Sequence, residues 1–239
     1  MDDRSLRELE LAPVARLFGL VEAAAPAVPV AEISVHPQAA APGTAQPNSA
    51  LSVATLDWDA LRQVVRTCTA CGLCAKRKQA VFGVGCETGP WMFIGEGPGA
   101  DEDEHGDPFV GQAGRLLDSM LGAAGLKRGR DVYIANVVKC RPPGNRTPTP
   151  EEATACAPYL DRQIELVKPR MIVALGKTAA MRLLATEASL GSLRGRLHRY
   201  RGTPLVVTYH PAYLLRNLPD KAKAWEDLLL ARRAMGESA

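Results

Sequence analysis

Four short runs, WMFIGEG (91–97), DVYIANVVKC (131–140), RMIVALG (170–176) and PLVVTYH (204–210), are almost wholly apolar and rich in β-branched residues. A half-buried strand alternates apolar with polar residues, so runs apolar throughout belong to strands covered on both faces. Helical patterns stand between them: GRLLDSMLGAAG with Leu116, Leu117, Met120 and Leu121 on one side, PEEATACAPYLDRQIELV opening on Pro150, KTAAMRLLA, and KAWEDLLLARRAM. The alternation predicts a parallel sheet in a layered α/β fold, flanked by helices. Ligands of such sheets bind beyond the carboxyl ends of the strands. GEGPG, NVVKC, GKT and HPAYLLR are therefore the first places to look for chemistry.

Ordered sequence begins near Asp57, an N-cap residue, followed by Trp58, Leu61, Val64 and Val65 on one helical face. Residues 22–50 are Ala- and Pro-rich with hardly any large apolar side chains, so they bury too little surface to offset chain entropy. The expected organisation is an N-terminal extension over 1–50, a disordered linker with one short amphipathic segment (SLRELELAPVARLFGL), and a single domain over 51–239. No uninterrupted apolar run reaches the roughly 18 residues a membrane span needs, and the start is acidic and amphipathic. A soluble, cytoplasmic, monomeric protein with no membrane contact is the expectation. A net charge of +3 is too small to announce a nucleic-acid partner, whose signal lies in clustered basic surface.

Several motifs carry less than they first suggest. GKT (176–178) resembles the end of a phosphate-binding loop, but the required earlier Gly falls on Met171, so it reads as a helix start. GEGPG (95–99) lacks the dinucleotide spacing and says only that backbone approaches something closely. The acidic run ADEDEHGD (100–107) reads as a solvated loop rather than a metal site, because consecutive acids cannot all face one ion. His210 puts an imidazole at the mouth of the sheet, and Asn136, at another strand end, carries an amide suited to reading a nucleobase edge. Lys139, Arg141, Arg146, Arg216 and Lys221 fall on loops expected to share one rim, a basic cluster of the kind that binds phosphates.

The chain holds six cysteines. With no export signal, they read as thiols or metal ligands. Cys68 and Cys71 form a Cys-x2-Cys pair, and Cys140 and Cys156 a second, wider pair. Two such pairs suit a structural zinc or an iron–sulfur cluster, and spacing does not choose between them. Cys68, Cys71 and Cys74 also mimic a ferredoxin triplet, but the Cys-Pro expected next is replaced by Lys-Arg-Lys at 76–78.

Taken in order, CTAC, VFGVG, GEGPGADED, DPFVGQAGRLL, YIANVVKCRPPGNRTP and HPAYLLR make the chain from about Cys68 to Leu230 resemble the family 4 uracil-DNA glycosylases, the iron–sulfur type. The resemblance implies a three-layer sandwich around a central, mostly parallel four-stranded sheet. It implies a DNA-repair enzyme that flips uracil out of single- or double-stranded DNA and hydrolyses its glycosidic bond, leaving an abasic site without cutting the backbone. One [4Fe-4S] cluster would be held by Cys68, Cys71, Cys140 and Cys156, with Cys74 and Cys86 outside the pattern.

By the same resemblance Phe109 stacks on the uracil, Asn136 pairs with its edge, and His210, as a neutral imidazole, stabilises charge developing on the departing base. Other families of the superfamily carry an Asp where this chain has Gly97, leaving Glu96 and Glu102 as candidates to orient water. Gly99 and Glu102 are expected to crowd the face where thymine carries its methyl group. Leu214 is expected to wedge into the space left by the flipped base, with Lys139, Arg141, Arg146 and Arg216 on DNA phosphates. The competing readings are an iron–sulfur redox module, a zinc-stabilised DNA-binding domain without catalysis, and a superfamily member of altered base specificity. Sequence names no partner for the N-terminal extension.

Overall fold

A computed structural model describes residues 53–236; the extension expected over 1–50 lies outside them. The helices are α1 (Trp58–Thr67), α2 (Ala100–His105), α3 (Gln112–Ala123), α4 (Pro150–Val167), α5 (Lys177–Leu184), α6 (Leu190–Leu193), α7 (Pro211–Leu214) and α8 (Asp220–Ala234). The strands are β1 (Val84–Gly85), β2 (Trp91–Gly95), β3 (Val132–Asn136), β4 (Met171–Leu175), β5 (Leu197–Tyr200) and β6 (Thr203–Thr208), in the sheet order β1-β3-β2-β4-β6-β5.

The four expected strands form the parallel centre: β2 pairs β3 and β4, and β4 pairs β6. The expected four-stranded sheet is six-stranded, because β1 and β5 add antiparallel edges to β3 and β6. Side chains alternate across the sheet, so each central strand feeds two cores. Met92, Ile94, Ile172, Ala174, Leu205 and Val207 pack against Leu61 and Val65 of α1, Leu160 and Ile164 of α4, and Ala180 and Leu183 of α5. Trp91, Phe93, Val132, Ile134, Met171 and Val173 pack on the other face against Leu117 and Leu121 of α3 and Leu228 and Ala231 of α8. Helices, sheet and helices make the three layers. Among the described residues no helix is long and apolar enough to cross a membrane.

Local chemistry sets the helix starts. Asp57 Oδ1 accepts from Ala60 N at 2.9 Å and opens α1. Thr149 and Glu152 form a reciprocal capping box at α4, whose first residue is Pro150. The acidic run expected to be loop is instead α2. Its Asp103 is buried, with Oδ1 accepting from the backbone of Lys78 at 2.9 Å, which ties the segment after the cysteine run to the segment after β2.

The chain steps from β2 to β3 on one side and then to β4 on the other, so the crossover direction reverses at β2. A cleft at the carboxyl ends of these strands is what that reversal creates.

Candidate active site

A cleft of about 500 Å³ opens there, lined among others by Glu96, Gly97, Gly99, Glu102, Phe109, Asn136, Arg146, His210 and Arg216. Every one of these was a sequence candidate. Asn136 ends β3, directly across from Gly95 at the end of β2. A Cβ on Gly95 would stand 2.5 Å from Asn136 Oδ1 and 2.6 Å from Phe109 Cζ, so glycine is what lets amide and ring close over the strand end. Asn136 is buried, and its Oδ1 is an acceptor without a hydrogen-bond partner. Leaving a buried acceptor unpaired is costly, so a donor brought to this strand end would be stabilised there.

Phe109 adopts φ 57°, uncommon for a bulky residue. Its surroundings impose the conformation: Arg128 Nη1 and Nη2 donate to the carbonyls of Pro108 and Phe109 at 2.9 and 3.0 Å. Gly114 permits the approach, since a Cβ there would lie 1.8 Å from Phe109 O. The Phe109 ring sits 5.4 Å from that of His210, tilted by 30°.

His210 caps α7, its Nδ1 accepting from Ala212 N at 3.2 Å. Nδ1 therefore carries no proton, which leaves Nε2–H as the donor of a neutral ring. Burial pushes its pKa down to about 4, with Glu102 opposing and Arg216 adding to the shift. Behind His210 lies Gly176, at φ 88°, where a Cβ would come within 3.0 Å of the histidine Cβ.

The two carboxylates differ in their commitments. Glu102 is spent on backbone: it accepts from Gly99 N at 3.0 Å, Val110 N at 3.0 Å and Gly111 N at 3.1 Å, holding the GEGPG turn to the Phe109 loop. Glu96 accepts a hydrogen bond from Thr178 Oγ1 at the start of α5 and also faces the cleft. Beside it, a Cβ on Gly97 would meet Val138 Cγ2 at 2.8 Å, so an acidic side chain would have to push this wall aside.

Two expectations for the rim fail. Lys139 is wholly buried, its ammonium donating to Asn136 O and Gln163 Oε1, so it is out of reach of phosphate. Leu214 is buried within α7; the exposed leucines of this stretch are Leu215 and Leu218. Their burial depends on docking against distant elements, which local sequence does not carry. Arg141 Nε donates to Asn145 Oδ1 at 2.7 Å, and Arg146 is paired with Glu152 at 2.7 Å. Arg216 is exposed on the cleft edge, as Lys221 is on the surface beyond it. Sequence reading missed Gly114, Arg128, Gly176 and Thr178, while for Gly95 the close approach read from GEGPG is what the structure shows. Gly176 and Thr178 were in view, since GKT follows β4, but a helix start carried no signal that its hydroxyl reaches a carboxylate.

Cys68, Cys71, Cys140 and Cys156 line one pocket between the end of α1, the loop after β3 and α4, and Cys74 joins them. Their sulfurs draw donors: Tyr159 Oη and Ala70 N to Cys68 at 3.2 and 3.4 Å, Arg77 Nη1 to Cys140 at 2.8 Å, Lys139 N to Cys156 at 3.3 Å. Burial raises the thiols of Cys71, Cys140 and Cys156, the last to about 12, so without metal they stay protonated. Among the described residues, no three His, Cys, Asp or Glu side chains gather tightly enough to hold a single metal ion.

The family model described as the uracil DNA glycosylase superfamily matches residues 82–229. The chain is 49% identical over 155 residues to a type-4 uracil-DNA glycosylase of Thermotoga maritima, covering 64% of this chain and 80% of that one. It is 45% identical over 183 residues to a type-4 uracil-DNA glycosylase of Pyrobaculum aerophilum, covering 73% and 93%. Identity to a type-5 uracil-DNA glycosylase of Thermus thermophilus is 33% over 189 residues, 61% of this chain and 84% of that one.

Proposed function

Because the chain belongs to the uracil DNA glycosylase superfamily, in its type-4 branch, we propose that it excises uracil from DNA by hydrolysing the N-glycosidic bond and leaves an abasic site. The observation that carries the reading is the unpaired Asn136 Oδ1 beside Phe109 and His210. Uracil offers a ring N–H to such an acceptor, whereas cytosine presents another acceptor there and leaves both unpaired. A site built to bond a substrate N–H rejects an analogue lacking it by about 10⁴ or more.

Each side chain then has a task its setting supports. Phe109 offers a flat apolar face to a base taken out of the stack. As the glycosidic bond breaks, electron density moves onto the uracil carbonyl oxygens and the sugar becomes electron-poor. Neutral His210 donates from Nε2 to that developing charge without having to give up a proton. Glu96, held by Thr178, is the carboxylate free to orient water, while Glu102 shapes the wall with Gly99. Gly97 leaves no room for an aspartate, and a dissociative reaction asks little of its nucleophile. Arg216 and Arg146 supply phosphate contacts on the rim, and Leu215, exposed directly beside Arg216, is the apolar residue to enter the duplex.

The cysteine pocket fits an iron–sulfur cluster better than zinc. The four thiols share one pocket, and Cys68, Cys140 and Cys156 receive N–H or O–H donors of the kind that tune cluster sulfurs. Cys68, Cys71, Cys140 and Cys156 would hold a [4Fe-4S] group, whose contribution is to brace the loop after β3 rather than to take part in the chemistry. Cys74→Ser should keep the brown colour and Cys71→Ser lose it; the reverse would restore the triplet. The protein would act as a cytoplasmic, nucleoid-associated monomer. Alkali treatment after incubation with a uracil-containing oligonucleotide should cut the strand at uracil; an intact strand from iron-loaded protein would favour the redox module.

A further inference from the structure

Lys139 lies between the cysteine pocket and Asn136, and all its polar atoms are used inside the protein. Its backbone N–H donates to Cys156 Sγ at 3.3 Å, and its carbonyl accepts from Val81 N at 2.8 Å. Its ammonium reaches back along the chain to the carbonyl of Asn136 at 2.9 Å and across to Gln163 Oε1 at 2.5 Å. Gln163 is fixed in turn, its Nε2 donating to Phe82 O at 2.8 Å and to Tyr133 Oη at 3.2 Å.

The Asn136 carbonyl stands at the end of β3, where the strand register with β2 stops at Gly95. Beyond it the chain still leans on the β2 end through its N–H groups, Val137 N donating to Gly95 O at 2.9 Å and Val138 N to Glu96 O at 3.2 Å, and the lysine holds the carbonyl side of the same peptide. A buried ammonium bonded to two uncharged acceptors is costly to keep. An apolar side chain of similar volume would fill the same space, so packing alone does not account for it.

We infer that Lys139 is a positioning residue that couples the cysteine-bound centre to base recognition: Cys156 fixes its main chain, and its ammonium fixes the strand end that carries the Asn136 amide. The inference rests on the glycosylase reading, deepens it, and gives the centre a route to the site.

The test uses iron-loaded enzyme, measuring iron per chain, visible absorbance and single-turnover uracil excision for Lys139→Met, Asn136→Ala and the double variant. Lys139→Met should keep its iron and lose roughly ten- to a hundredfold in rate per loaded molecule, since displacement by about 1 Å costs of that order. In the Asn136→Ala background it should cost nothing further, because the residue acts through that amide. Full rate in Lys139→Met, or losses that multiply in the double variant, would overturn the inference. If Lys139→Met fails to fold or to load iron, Gln163→Leu takes its place. It frees the ammonium from its second anchor, and its loss should likewise vanish beside Asn136→Ala, multiplication again being the contrary result. Wild-type enzyme that excises no uracil would instead defeat the glycosylase reading, before any variant is compared.

Discussion

Gly95→Ala adds one methyl group at a strand end whose backbone any residue can adopt, so its effect comes from neighbours alone. The new Cβ would lie 2.5 Å from Asn136 Oδ1, and 2.6 and 2.8 Å from two carbons of the Phe109 ring, where ordinary contact begins at 3.4 Å. The amide oxygen must retreat by about 0.9 Å and the ring by about 0.8 Å. Phe109 has little room to do so, being gripped at its carbonyl by Arg128 and backed by Gly114. Overpacking of this size costs about 1–3 kcal/mol of stability. Displacing two substrate-facing groups by nearly 1 Å costs on the order of a hundredfold in rate. Single-turnover excision with enzyme in excess should therefore fall by about that factor, while DNA affinity, set by rim cations that the methyl does not touch, stays near wild type. An alanine variant excising at full rate would show that Asn136 and Phe109 are not held in working geometry by the glycine, and the reasoning would fail.

Other perturbations follow from the same geometry. With His210 at about 4, excision should show no inflection near pH 6.5 and decline only as pH approaches 4. Because the unfolded histidine takes up its proton first, its contribution to stability is present above pH 6.5 and lost as pH falls toward 4, readable in the melting temperature. Thr178→Val removes the hydroxyl donated to Glu96 and should slow excision roughly tenfold, while Thr178→Ser restores it; equal rates in all three would remove Thr178 from the account. Arg216→Ala should weaken DNA binding and lower the salt dependence of log affinity by about one unit, because it takes away one phosphate contact. An unchanged salt slope would place that side chain off the DNA.

What sequence could reveal depended on whether the deciding forces were local. The four central strands announced themselves because burial on both faces leaves runs such as RMIVALG without polar interruption. The edges did not: β1 is two residues long, and LHRY in β5 sets two polar residues side by side, so pairing with a neighbour rather than composition makes them strands. ADEDEH looked solvated because acids usually are, and the contacts that bury Asp103 come from the cysteine-run segment far back in the chain. Asn136, His210 and Glu96 were legible as strand-end residues and Phe109 by the resemblance of its loop, and the fold brings them to one cleft. Lys139 and Leu214 were misplaced for a common reason. Charge and position on a motif name a residue's chemistry, but only packing decides whether it faces water.

The central claim is that the buried Asn136 acceptor reads the ring N–H of uracil, and the most direct measurement changes the base rather than the protein. Single-turnover excision should be compared for oligonucleotides carrying either uracil or 3-methyluracil at one position. Methylation removes the donor and leaves the glycosidic bond in place. The account predicts rapid release of uracil and a loss of about 10⁴ or more for the methylated base. Comparable rates for the two would contradict it.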